Sequence, residues 1–344
     1  MSYVRRPVAI MFVIVLAMSS AYACFVISPS CCGVRGKFTP STSFSLYPSI
    51  NFGFELWPGF LIVPLAEKLG YFHDEGIDVQ LYPYISVNDL VNDVASGKIN
   101  ARAGLSSEIV YEARESGIRA YIVLITDHSV GADAVLTRKG AKPIGASKGS
   151  KIAYIGEPDF FVQWALSSFN TTPKDYVFID AGSEEASVEL LRKGLVDHII
   201  TYEPYVSMAK QLGATEEYTS AESPGVVTDI IAFDTKYVRG QPHVLDGFMR
   251  AYFRAYDYWK SHPKDAYRIV RSTFHITESD FENQMRYIEM LDRDANKSAM
   301  YFYSGLGSIY GNVRLISLFA NQYMVISNIN PDDLIYPNAV RNLP

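Results

Sequence analysis

Apolar and polar positions along the chain fall into two series of alternating strand and helix patterns. "SINFGFELW" alternates like a strand with one buried face, and "PGFLIVPLAEKLGYF" follows with helical apolar spacing that ends near Gly70. "IDVQLYPY" then predicts a strand, "SVNDLVNDVASG" a helix with a Ser N-cap and a Gly stop, "INARAGL" a strand, "SSEIVYEARESG" a helix and "RAYIVLITDH" a strand. The order begins again near Gly131 with "ADAVLTR", "SKIAYIG", the helix "DFFVQWALSSF", "YVFID", the helix "SEEASVELLRKG" and "VDHIITY". After "GVVTDIIAFDTKYV", the segments "HVLDGFMRAYFRAYDYWKSH", "PKDAYRIVRSTF" and "TESDFENQMRYIEMLD" each carry an apolar stripe and read as helices. The class is α/β, two lobes each built on a mainly parallel sheet flanked by helices. Ligands of such folds bind between lobes, at the carboxyl ends of parallel strands.

Residues 1–23 have the parts of an export signal: Arg5-Arg6, the apolar stretch Val8–Met18 and the small-residue sequence Ala21-Tyr22-Ala23. The stretch is about half the ~20 residues that cross a bilayer. Cys24 follows directly, as in a bacterial lipoprotein signal whose first mature residue is a lipidated cysteine. Ala21 stands where such signals usually carry Leu, so cleavage at an A-x-A site without a lipid is the alternative. Residues 24–49 read as a tether, rich in Ser, Thr, Pro and Gly from Arg35 onward. Cys24, Cys31 and Cys32 are the only cysteines, so the folded body is expected to hold no disulfide, thiol nucleophile or cysteine metal site.

A formal charge of −6 across 344 residues, with no long basic run, argues against a nucleic-acid partner and for a small-molecule ligand. The 6 histidines show neither H-x-x-x-H nor H-E-x-x-H spacing; the G-x-S-x-G match at Gly145–Gly149 leads into the strand pattern "SKIAYIG" instead of joining a strand to a helix, so no nucleophile elbow is read, and no phosphate-binding glycine loop either. No metal and no catalytic residue is assigned.

"WPGFLIVPLAEKLGYFHDEGIDVQL", "DLVNDVASGKINARAG", "GADAVLTRKG", "VELLRKGLVDHIITYEPY" and "HVLDGFMRAYFRAYDYWKSHPKDAYRIV", spread in order over residues 50 to 340, resemble the solute-binding proteins of ABC importers for nitrate, sulfonate, taurine and pyrimidine precursors. The resemblance implies a type II periplasmic-binding fold in which lobe I, residues 50–132 and 230–344, is interrupted by lobe II, residues 133–229. It further implies a monomer without cofactor or turnover that hands its ligand to a permease and an ATPase. Such a protein works in the periplasm or on the extracellular face of the cytoplasmic membrane, tied to it through the lipid at Cys24 where one is present. A pyrimidine synthase on the same fold is the enzyme alternative, and an iron-binding cluster of histidine and cysteine should accompany it.

One departure from the resemblance concerns charge. Sulfonate and nitrate binders of the family open the first helix of lobe II with Gly, Ser and Thr, which hold the anion at the positive end of the helix dipole. Here Glu157 and Asp159 stand there. Ser106, Ser107 and Glu108 follow the third strand, while Asp133 and Asp229 lie at the two crossovers between lobes. Each also suits ordinary capping or hinge tying. In "TYEPY", Glu203 between Tyr202 and Tyr205 reads as N-cap-like at the cleft edge, with Pro204 at the first helical position. Its carboxylate suits an amine or amidine-like ligand, with the tyrosines and Trp57 of the opposite lobe as flat walls. The acids together predict a neutral or cationic nitrogen-bearing ligand of the aminopyrimidine, thiamine-precursor kind, in preference to taurine, sulfonate or nitrate.

Overall fold

Ser49–Glu55 becomes a strand, β1, because its alternation turns Ile50, Phe52 and Phe54 into the core while Gly53 lets the next layer approach. A Cβ on Gly53 would sit 2.4 Å from Cδ1 of Leu90, so the helix α3 (Val87–Ala95) packs onto β1 only because that side chain is missing. The computed structural model describes residues 47–115, 117, 119–301, 304–323, 329–341 and 343. The export-signal and tether readings, with Cys24, Cys31 and Cys32, lie outside them. No helix among the described residues is long and apolar enough to cross a membrane.

The first βαβ series forms as its pattern predicts. β1 pairs in parallel with β2 (Asp78–Tyr84) and β3 (Ala101–Leu105). The connecting helices are α1 (Ile62–Lys68), α2 (Tyr71–Asp74) and α3, and α4 (Ser106–Glu115) leads from β3 to β4 (Ala120–Ser129). Ser86 caps α3 by accepting the Asp89 N–H. The chain then crosses into the second sheet through Val130–Ala132. That sheet holds β5 (Asp133–Thr137), β6 (Lys151–Tyr154), β7 (Val177–Asp180), β8 (His198–Tyr202) and β9 (Thr215–Thr219) in the order β7-β6-β8-β5-β9. α5 (Phe160–Ser168), α6 (Glu184–Arg192) and α7 (Tyr205–Gln211) connect them.

The chain returns as β10 (Thr228–Asp234), which inserts antiparallel between β3 and β4. Asp229 therefore sits on the sheet of lobe I. Most strands of each sheet run the same way, as expected, with β10 and Ile288–Met290 reversed in the first sheet and β5 in the second. The βαβ halves are parallel, but β10 re-enters from the opposite lobe, and β5 meets both β8 and β9 antiparallel. "TESDFENQMRYIEMLD" differs from expectation. Helix α11 (Glu278–Met285) stops short, and Ile288–Met290 forms β11, which pairs antiparallel with the edge of β4. An otherwise open strand edge offers three residues more than another helical turn does.

α8 (Thr235–Gly240), α9 (Pro242–Ser261) and α10 (Pro263–Phe274) cover the first sheet. Phe248 of α9 stacks on Phe72 at 5.0 Å and on Phe52 at 6.1 Å between ring centroids. After α12 (Arg293–Ala299), α13 (Ile309–Tyr323) packs on α4 of lobe I and α5 of lobe II. Its Phe319 lies 5.5 Å from both Phe160 and Trp164. One apolar core thus runs from lobe to lobe behind the cleft. The short α14 (Asn338–Arg341) closes the chain over β4.

Candidate functional site

The carboxyl ends of β1 and β3 and the adjoining ends of β4 and β10 bring acids together on lobe I. β3 places Arg102 beneath α4, wholly buried, where its guanidinium donates to Glu108 at 2.5 Å and to Glu112 at 2.7 Å. Gly104 makes room, since a Cβ there would stand 2.6 Å from Oε2 of Glu108. Burial still pushes the Glu108 and Glu112 carboxyls up, against the opposing pull of Arg102. Glu55, the last residue of β1, is pushed up to about 8 by burial and then by the charge of Glu108. β4 and β10 set Asp127 opposite Asp229 in register. The two carboxyls lie within hydrogen-bonding reach. Burial raises Asp127 to about 6, and burial followed by the Asp127 charge holds Asp229 well above the carboxylate range.

Lobe II answers with acids of its own. Asp133, the first residue of β5, is pushed up to about 7 by burial and further by Asp159 and Glu184. Asp159 is the N-cap of α5, accepting the Val162 N–H at 3.0 Å; burial raises it, and Glu108 of lobe I adds to the rise across the cleft. Glu184 opens α6, accepts from the Thr201 hydroxyl at 2.6 Å, and is pushed to about 7 by burial. Burial and the charges of Asp159, Glu184 and Asp133 also hold the Tyr154 phenol neutral. Arg102 is the one cation the electrostatics bring to this group among the described residues, and Glu108 and Glu112 already engage it.

Aromatic rings join the lobes across these acids. Trp57 follows β1 and meets Tyr202, at the end of β8, edge-on at 6.1 Å; Tyr202 in turn meets Tyr205 at 5.7 Å. Tyr202 keeps 40% of its surface, so one wall is open. The Tyr205 hydroxyl donates to Glu185 at 2.6 Å. Trp57 Nε1 is buried with no hydrogen-bond partner among the described residues.

The structure brings Trp57, Glu108, Asp133, Asp159, Tyr202 and Asp229 together where the two sheets face each other. Ser106 and Ser107 are buried beside them, and Ser106 donates to Asn312 Oδ1 at 2.7 Å, tying α4 to α13. Glu157 is exposed on the loop before α5. Glu203 stands apart. It precedes a Pro204 that is itself the N-cap of α7, one residue later than the sequence reading placed the start, and it is only 2% exposed. Its carboxylate accepts from the Ser207 N–H at 3.1 Å and the Ser207 hydroxyl at 2.9 Å. Both oxygens are spent on its own helix. Glu203→Gln is therefore expected to cost about 1 kcal/mol of stability while ligand affinity stays within about twofold, as read by denaturant midpoints and by titration.

Glu55, Asp127, Tyr154 and Glu184 are the members that the sequence reading missed. Glu55 and Asp127 lie within two residues of the ends of predicted strands, so the rule that picked out Ser106–Glu108 reaches them too. Glu184 reads as a helix-capping acid until β8 brings Thr201 against it. His128 and His198 are buried: one pairs with the Thr228 hydroxyl, the other with Thr137 and Ser147. No three His, Cys, Asp or Glu side chains among the described residues are arranged to hold a metal ion. The histidine and cysteine cluster that iron chemistry calls for is thus not matched among them.

Two sheets of this order, joined by two crossovers around a cleft, define a periplasmic-binding-protein fold. Residues 57–266, more than half of the chain, match the family described as NMT1/THI5 like, and the chain belongs to that family. It is 23% identical over 229 residues, 62% of this chain and 67% of the relative, to a 4-amino-5-hydroxymethyl-2-methylpyrimidine phosphate synthase of Candida albicans (strain WO-1). Its fold is similar to that of the ligand-binding component of an ABC-type import system from Staphylococcus aureus with zinc bound (TM-score 0.68, 11% identity, 86% of this chain and 99% of that one). It is also similar to the periplasmic aliphatic sulphonate binding protein SsuA from Escherichia coli (TM-score 0.64, 13% identity, 85% of this chain and 99% of that one).

Proposed function

We propose that this protein is an extracytoplasmic solute-binding protein that captures a small nitrogen-bearing ligand, neutral or cationic and of the aminopyrimidine kind, and delivers it to an ABC permease and its ATPase. The observation that carries the reading is the gathering of acids where the two sheets face each other, without a free cation among the described residues. Glu55, Glu108, Asp127, Asp133, Asp159, Glu184 and Asp229 converge there, and Arg102 is already neutralised. Burial holds much of this group protonated, so an anion finds no free cation among the described residues to pair with, whereas a cationic or N–H-donating flat heterocycle between Trp57 and Tyr202 favours the carboxylate form of the acids it meets. The lobes close over it about the crossovers at Val130–Ala132 and Pro224–Val227. Export by residues 1–23, with lipid attachment at Cys24 or plain cleavage, belongs to the same proposal.

The kinship to a pyrimidine phosphate synthase favours one second reading, an enzyme on this fold. Mass spectrometry of the released small molecule separates the two. Purified protein incubated with 4-amino-5-hydroxymethyl-2-methylpyrimidine is expected to return it unchanged at about one per chain. Appearance of a pyrimidine phosphate in incubations given no pyrimidine would establish the enzyme.

A further inference from the structure

Beneath the facing strand ends the pair of Asp127 and Asp229 is short of hydrogen-bond donors among the described residues. Asp127 is 0% exposed; its Oδ2 accepts from the Thr126 hydroxyl at 2.9 Å, while its Oδ1 has no ordinary donor among the described residues. The carboxyl of Asp229, itself 5% exposed, is within reach but becomes a donor only with a proton on it. Two further polar groups facing Asp127 are also unmatched among the described residues. The Tyr252 hydroxyl, on a fully buried side chain of α9, feels the Asp127 charge without a partner. The Trp57 Nε1–H favours the Asp127 anion without completing a hydrogen bond. Gly59 keeps Trp57 and Asp127 this close, since a Cβ there would lie 2.4 Å from Asp127 Oδ2 and 2.8 Å from Trp57 Nε1. The same Trp57 forms the lobe I side of the aromatic wall and touches Tyr202 of lobe II.

We propose that capture of a cationic ligand expels about one proton from the Asp127–Asp229 pair, with Trp57 as the positioning residue that links the occupied cleft to the pair. This rests on the ligand reading above. The O–H bond shared by the two carboxyls breaks, the proton passes to solvent, and the ligand keeps its own positive charge. A ring seated against Trp57 brings its N–H onto Asp127, which compensates the second negative charge that the pair then carries. Charged groups facing the pair are Glu108, backed by Arg102, from β3 and α4, and Asp133 from β5; Trp57 and Tyr252 face it as neutral donors. Burial and the mutual charge of the pair favour keeping a proton on it. Loss of that proton on binding makes affinity for a cation rise with pH.

Calorimetry in two buffers of different ionisation enthalpy counts the protons. The probe is 4-amino-5-aminomethyl-2-methylpyrimidine, whose aminomethyl group is an ammonium near neutral pH. Wild type is expected to release about one proton per ligand, with affinity rising about tenfold per pH unit below the release point. Asp229→Asn, which keeps an N–H donor against Asp127, is expected to release none and to lose the slope. Trp57→Phe, which keeps a ring and removes the N–H, should release fewer protons and bind with a shallower slope. A wild-type count near zero, or a count surviving in Asp229→Asn and vanishing in Asp133→Asn, overturns the proposal and leaves the ligand reading standing. A probe that does not bind wild type overturns the proposal, and the ligand reading falls with it where 4-amino-5-hydroxymethyl-2-methylpyrimidine also fails to bind.

Discussion

Arg102→Met is expected to destabilise the folded protein by about 3–5 kcal/mol near pH 8, the usual cost of removing one partner from a buried ion group. The guanidinium holds Glu108 and Glu112 at 2.5 and 2.7 Å under α4, and burial already raises both carboxyls despite it. Without Arg102 only the Leu105 backbone bond to Glu108 still opposes the rise, so the folded state binds protons that the unfolded chain gives up near pH ~4.3. A carboxyl raised in the folded state contributes stability that is present below the unfolded pKa and lost as pH rises through the folded one. The penalty should therefore shrink as pH falls from about 8 to about 5, and Glu108→Gln with Glu112→Gln should recover part of it. Urea unfolding at the two pH values checks this. A loss under about 1 kcal/mol, or one independent of pH, contradicts it.

Gly225→Ala is expected to cost more than about 2 kcal/mol, because two separate faults combine. Gly225 has φ +88, and a Cβ there would lie 2.6 Å from the Leu306 carbonyl oxygen and 2.7 Å from its carbon. Neither is a side chain that can swing away. The Gly225 carbonyl also accepts from Thr228 at 2.9 Å and from Asn312 at 2.8 Å, so the return crossover is fixed to α13 at this residue. Gly140→Ala is the matched control: φ is +83, but no atom lies within 4 Å of the added Cβ. It should cost about 1 kcal/mol, the left-handed backbone alone. Equal thermal midpoints for the two variants would contradict the argument.

Much of this fold is legible in residue order, because β1 through α4 and β6 through β8 each satisfy one local period and one set of caps. What escaped was set by chain return. Nothing local to "VVTDIIAF" says that β10 runs antiparallel between β3 and β4, and "YIEM" looks like the tail of a helix until the open edge of β4 is seen. The site divides in the same way. Trp57, Glu108, Asp133, Asp159, Tyr202 and Asp229 stand where strands end, which sequence shows. That Asp127 faces Asp229 is a fact of register, two residues far apart in the chain paired by β4 and β10. Glu203 drew attention from its setting between tyrosines, yet Ser207, a single turn later, occupies its carboxylate. Such competition between a cap and a ligand is decided by side-chain direction, which spacing alone does not supply.

The central claim is that this cleft selects nitrogen-bearing neutral or cationic ligands over anions. A thermal-shift series tests it most directly, with 4-amino-5-hydroxymethyl-2-methylpyrimidine and its aminomethyl analogue set against taurine and nitrate in one buffer. A true ligand at about a hundred times its dissociation constant stabilises the fold by ~2.7 kcal/mol, a shift of several degrees at most for a chain of this size. The two pyrimidines are expected to raise the midpoint and the two anions to leave it unchanged. A midpoint raised by taurine or nitrate and unmoved by either pyrimidine would contradict the account.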